Sequence, residues 1–247
     1  NIEIYHEFLF DETLRNSVSY HMKMISKKKI LDYLEKSYAF SIENSKKKIW
    51  IDTSNALPWM IKPLRYKFKD AKFVFLIRDG RKVVSSFYNK YREIMYNKRD
   101  VILLKKFFDK KINFLSSEKK YWRPIPTEKK DFYLFNKKSQ FSKICIYWSQ
   151  LNKTIRENLT EVKEDNIFFF KLEEIENKKK LLSLLKFLGV RKKDNKSVIK
   201  IFKKPINVKI PRDFGLSKLQ KKEFEKYCKT EMIKNGYDIK QSYVMKY

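Results

Sequence analysis

Arg78 and Ser86 stand eight residues apart in a segment whose neighbours suit them to hold a phosphate. Phe73-Val74-Phe75-Leu76-Ile77 is a continuous β-branched and aromatic run. It reads as a strand buried on both faces, as in a parallel sheet. Arg78-Asp79-Gly80-Arg81 follows at once, and Lys82 to Met95 is helical in pattern, with Val83, Phe87 and Tyr91 on one face. Ligands of open α/β sheets bind at the carboxyl ends of the strands. A helix starting there offers free N–H groups and the positive end of its dipole. A guanidinium at the strand tip can grip a phosphate through two parallel bonds. Gly80 permits the tight turn. Ser86 adds a hydroxyl, and Lys90 adds a charge one turn further along the same face. The same residues also describe an ordinary strand-to-helix joint in which Arg78 pairs with Asp79 or another carboxylate.

Positioning these groups requires strands that alternate with helices, and the rest of the chain supplies them. Residues 2–5 alternate as in a short strand. Glu12 to Tyr38 reads as two helices, with Ile30, Tyr33 and Leu34 at helical spacing. Lys48-Ile49-Trp50-Ile51 is a second short apolar run, closed by the polar cluster Asp52-Thr53-Ser54-Asn55. Leu57 to Phe68 is helical, with Pro58 suited to a first turn and Pro63 placed to bend or split it. Residues 97–140 read as a partly helical insertion or lid within a single domain spanning 1–247. Ser142 to Leu159 is a helix and Asn166 to Phe170 a buried strand. Glu173 to Leu188 is a helix ended by Gly189. A final helix runs from Ser217 to about Asn235. This alternation predicts an α/β protein with a parallel sheet.

Composition excludes several classes. With 2 Cys and 2 His among 247 residues, no disulfide framework, Cys cluster or His-built metal centre is expected. Cys145 reads as a core residue and Cys228 as a helix-face residue. No run approaches the ~20 apolar residues of a membrane span, and a bacterial-type cytoplasmic protein is expected. The formal charge is +29, carried by 48 Lys but only 10 Arg. Nucleic-acid readers favour Arg for bidentate contacts and stacking. The Lys excess therefore reads as a solvated coat that also attracts an anionic ligand.

Phe73–Lys90 resembles the 3′-phosphate-binding motif of sulfotransferases that use 3′-phosphoadenylyl sulfate (PAPS). Its Arg-Asp-Gly-Arg form is similar to that of tyrosylprotein sulfotransferases and their bacterial relatives. The resemblance implies that Arg78 and Ser86 hold the 3′-phosphate and that Lys90 also touches the nucleotide. Further matches follow in order. Trp50-Ile51-Asp52-Thr53-Ser54 resembles a strand end of the family, with Thr53 where several members carry Lys. Leu172-Glu173-Glu174-Ile175 and Leu184 to Gly189 resemble a later pair of its elements. Lys204-Pro205-Ile206-Asn207-Val208 resembles the loop that closes over the nucleotide, which assigns Lys204 and Asn207 to cofactor binding. Gly236-Tyr237-Asp238 matches the family's ending. Trp148 also matches a family Trp, although a core aromatic is the simpler reading.

The resemblance implies a P-loop-NTPase-like central parallel sheet flanked by helices. The family's glycine-rich 5′-phosphosulfate loop has no counterpart among Gly80, Gly189, Gly215 and Gly236. Asn1 to Glu7 resembles the element that follows that loop and its helix. A chain lacking the first strand, loop and helix is therefore expected, with little or no turnover by itself. Sulfuryl transfer needs a base for the acceptor hydroxyl. Glu7 falls at the place of the catalytic Glu of tyrosylprotein-type members, beside apolar Phe8, Leu9 and Phe10. His6 is the rival base. The expected activity is transfer from PAPS to a saccharide, tyrosine or small-molecule hydroxyl, leaving PAP, without a metal. The alternatives are a P-loop-type kinase, and a basic polyanion or nucleic-acid binder without catalysis.

Overall fold

Strand pairing is parallel throughout the residues described by the computed structural model, which are 1–91, 95–109, 123–190 and 215–239. Strand β1 (Ile2–His6) pairs with β2 (Ile49–Thr53), and β3 (Phe73–Ile77) pairs with β4 (Ile167–Lys171). The helices in chain order are α1 (Phe10–His21), α2 (Lys27–Leu34), α3 (Phe40–Glu43), α4 (Ile61–Lys67) and α5 (Gly80–Lys90). They continue with α6 (Lys98–Phe108), α7 (Lys129–Asn136), α8 (Gln140–Leu159), α9 (Lys178–Phe187) and α10 (Lys218–Lys234). The α/β class follows. Among the described residues the strands form two two-stranded sheets. The chain divides into two compact units: Asn1–Ala71 with Glu93–Lys138 and Gln150–Val162, and Lys72–Arg92 with Ser139–Ser149 and Lys163–Tyr247.

In the first unit, the Ser26 side chain caps α2 by accepting the Lys29 N–H. Ile30 and Leu34, one turn apart, are completely buried, and a π-helical turn at Glu35–Ala39 carries Tyr38 into the core. Tyr38, Tyr5, Phe8 and Trp50 pack with centroids 4.8 to 5.6 Å apart. Strand alternation puts Ile2, Ile4, Ile49 and Ile51 together on one face of the β1–β2 pair, and Ile4 is 64% exposed. Pro58 sits in a 3-10 turn, Leu57–Met60. The Leu57–Phe68 segment is split as expected, into that turn and a following helix, with Met60 between them at φ −131°. That helix starts at Ile61, so Pro63 lies in its first turn, where no N–H is needed.

In the second unit, Phe75 of β3 packs edge-on against Phe169 of β4, and Phe168 packs against Phe187 of α9. Asn177 caps α9, which starts later than the sequence pattern implies because Leu172–Glu174 forms a 3-10 turn first. Gly189, at φ 74°, ends it. Ser217 and Gln220 form a reciprocal capping box on α10. Phe75 and Ile77 are buried, but Val74 and Leu76 are exposed. Strand β3 is thus covered on one face only among the described residues. Cys228 is as completely buried as Cys145, and its thiol donates to the Cys145 carbonyl at 3.5 Å. Burial pushes the Cys228 thiol well up from its ordinary range.

Candidate functional site

Arg78 is the first residue beyond β3 and Asp79 is the N-cap of α5. The Asp79 carboxylate accepts the Arg81 N–H at 2.9 Å and the Arg81 guanidinium at 2.6 Å. The Asp79 N–H donates to Glu173 Oε1 at 3.0 Å, and the Gly80 N–H to Met232 Sδ at 3.3 Å. The amides at the start of α5 are therefore already committed. This corrects the expectation that they are free to hold an anion. Gly80 also has a different role from the one expected. Its φ is not positive; a Cβ there would lie 2.7 Å from the Trp148 ring. Glycine is needed for that close approach, and Trp148 is a core aromatic, 3% exposed.

Helix α5 buries Val84 and Ser85, and the opposite side carries Lys82, Ser86 and Lys90 at four-residue spacing. Ser86 stands ~9 Å along the axis from Gly80 at 1.5 Å per residue. Its hydroxyl has no hydrogen-bond partner among the described residues. Lys90 is exposed, with Nζ 5.3 Å from the Tyr91 ring centroid. Lys204 and Asn207 lie outside the described residues.

In the first unit, the Glu7 N–H continues the β1–β2 ladder by donating to the Thr53 carbonyl at 3.1 Å. Glu7 then turns into the left-handed region at φ 60°, and Leu9, the N-cap of α1, does the same at φ 46°. The Glu7 carboxylate accepts from Asn55 Nδ2 at 2.8 Å. His6 Nδ1 lies 3.3 Å from Thr53 Oγ1. The expected apolar enclosure of Glu7 is incomplete, because Leu9 points outward and is 43% exposed.

Beneath them, Asp52 accepts the Phe8 N–H at 3.1 Å and the Tyr38 hydroxyl at 2.9 Å. Thr13 Oγ1 lies 2.8 Å from the Tyr33 hydroxyl and 3.4 Å from that of Tyr38. Burial raises the Asp52 carboxyl above its ordinary value despite these donors, and raises the Tyr38 phenol. In the sequence, Asp52 to Asn55 reads only as the polar close of a strand. That reading missed that Asn55 reaches Glu7 and that Asp52 holds the turn before α1. The cluster of four polar residues closing an apolar strand was the available signal.

With the α5 amides committed, the polar groups left along this unit are side chains. Arg78 follows the strand, and the Ser86 hydroxyl and Lys90 ammonium share one face of the helix after it. Among the described residues no three His, Cys, Asp or Glu side chains gather as metal ligands. No described helix is long and apolar enough to cross a membrane. Comparison with protein-family models, with curated proteins and with solved structures finds no match for this chain.

Proposed function

We propose that the protein is a sulfotransferase that takes a sulfuryl group from PAPS and delivers it to an acceptor hydroxyl. The observation that carries this reading is the strand–Arg78–helix unit, in which Ser86, whose hydroxyl has no hydrogen-bond partner among the described residues, shares one side of α5 with Lys82 and Lys90. A dianionic 3′-phosphate suits a guanidinium fork, a hydroxyl donor and an ammonium better than a carboxylate or neutral ligand does. The bound donor would supply the activated sulfuryl group. This chain's residues would orient the nucleotide through Arg78, Ser86 and Lys90.

Glu7 is the residue proposed to take the acceptor proton. Its backbone is held in an uncommon conformation at the carboxyl end of a parallel strand, where ligands of α/β proteins bind. Asn55 steadies one carboxylate oxygen. His6 is the less favoured base, because its ring lies against the Thr53 hydroxyl. A thermal-shift comparison tests the reading. Adenosine 3′,5′-bisphosphate is expected to raise the unfolding midpoint more than ATP with Mg²⁺ does. A larger rise with ATP and Mg²⁺ would favour phosphoryl transfer instead.

A further inference from the structure

The turn after β3 is held by the end of α10 along two routes. Tyr237, just past that helix, donates its hydroxyl to Glu173 Oε2 at 2.8 Å. The other oxygen of the same carboxylate accepts the Asp79 N–H at 3.0 Å. Met232, in the last turn of α10, accepts the Gly80 N–H on its sulfur at 3.3 Å. The two peptide planes that follow Arg78 are therefore both fixed from α10 and the residues just past it.

The tail is itself pinned. Lys171, the last residue of β4, donates to the Gly236 carbonyl at 2.6 Å, and its Nζ lies 4.6 Å from the Tyr237 ring centroid. Gly236 adopts φ +72°, and a Cβ there would come within 3.0 Å of Lys171 Nζ. The left-handed backbone is what favours glycine at this position, since the flexible Lys171 end could shift to admit a Cβ. Burial and the adjacent Glu173 push the Tyr237 phenol upward, so it stays a protonated donor through the physiological range. Lys171 and Ile77 are register partners at the ends of β4 and β3. Gly236 and Tyr237 thus act as a staple across two parallel strand ends, with Glu173 as the link to the Arg78–Asp79 peptide.

We propose that Tyr237, acting through Glu173, is a positioning residue that sets the direction from which Arg78 meets a nucleotide phosphate. This rests on the sulfotransferase reading above and adds to it a residue with no phosphate contact of its own. Replacing the phenol by a ring without the hydroxyl leaves one Glu173 oxygen without its donor and loosens the fixed acceptor of the Asp79 N–H.

The test is calorimetric titration of the protein with adenosine 3′,5′-bisphosphate, paired with amide hydrogen exchange over residues 78–82. Tyr237→Phe is expected to weaken binding about tenfold, the size of a lost hydrogen bond to a charged group. Exchange at 78–82 is expected to accelerate while α9 stays unchanged. Glu173→Ala is expected to weaken binding at least as much. Glu173→Gln keeps an oxygen for the Asp79 N–H and is expected to restore affinity to within about threefold. Arg78→Ala reports on the underlying reading. If it weakens binding while Tyr237→Phe does not, the staple is structural only and the positioning role is overturned. If the unaltered protein and Arg78→Ala bind the bisphosphate equally poorly, the sulfotransferase reading falls and takes this inference with it.

Discussion

Asn55 donates its side-chain amide to the Glu7 carboxylate at 2.8 Å, joining residues just beyond the ends of two paired parallel strands. Glu7 is held there at φ 60°, a conformation that costs a non-glycine residue on the order of 1 kcal/mol or more. Strain maintained by a specific hydrogen bond is expected where a side chain must be aimed. On the proposed reading, Glu7→Gln is expected to lower the kcat of sulfuryl transfer by at least ~100-fold, the scale of general-base catalysis, with nucleotide affinity unchanged. Asn55→Ala is expected to lower kcat about tenfold. Glu7→Gly is expected to abolish turnover while stability holds or rises by up to about 1 kcal/mol. Single-turnover assays with chemical denaturation check all three.

His21 gives a pH dependence of defined sign. Its ring packs 4.5 Å from that of Trp59, and burial lowers its pKa from 6.5 to about 4. A group whose folded pKa is depressed adds stability above its unfolded pKa and loses it as pH falls through the folded one. Stability is therefore expected to decline between pH 6.5 and about 4, by at most ~3 kcal/mol from this residue. His21→Phe keeps the aromatic contact and removes the titration. Urea unfolding at pH 7 and pH 4.5 should show a smaller loss in that variant. Asp52 runs the other way. Burial raises its carboxyl, so its contribution is fullest in acid and fades as pH climbs above the ordinary aspartate value. The stability of Asp52→Asn relative to the unaltered protein should therefore improve with rising pH.

Gly80 makes a packing prediction. A methyl group there would lie 2.7 Å from the Trp148 ring, closer than unbonded carbons approach. Gly80→Ala is expected to cost about 1–3 kcal/mol as an overpacked core position, although α5 would gain helix propensity. Trp148→Leu in the same chain should recover part of that loss. A double-mutant cycle by thermal or urea unfolding measures the coupling.

Much of this framework was legible locally. Strands β1 to β4, the start of a helix at Ser217, the Gly189 stop and the buried Ile30–Leu34 pair follow from period and left-handed glycine. Contacts between residues far apart in the chain were not legible. Gly80 read as a turn glycine because nothing near it in sequence announces Trp148. The amides opening α5 read as free because their acceptors, Glu173 and Met232, come from 94 and 152 residues further along. The exposure of Val74 and Leu76 was hidden for the same reason: an apolar run reports the capacity for burial, not what covers it.

The two thiols offer a check on the second unit. Cys145 and Cys228 are completely buried, and the Cys228 thiol is pushed away from the reactive thiolate. Labelling with a thiol reagent at neutral pH is expected to follow unfolding of that unit, with no fast phase in native buffer. A fast phase would mean that α8 and α10 separate without global unfolding.

The most direct measurement isolates the 3′-phosphate itself. Binding of adenosine 3′,5′-bisphosphate and of adenosine 5′-phosphate, which lacks that group, is compared in the unaltered protein, Arg78→Ala and Ser86→Ala. The bisphosphate should bind at least ~30-fold more tightly to the unaltered protein, as charge-assisted bonds to a dianion require. That advantage should nearly vanish in Arg78→Ala and shrink several-fold in Ser86→Ala, with affinity for the monophosphate little changed. An advantage of the same size in all three proteins would contradict the assignment of Arg78 and Ser86 to the nucleotide.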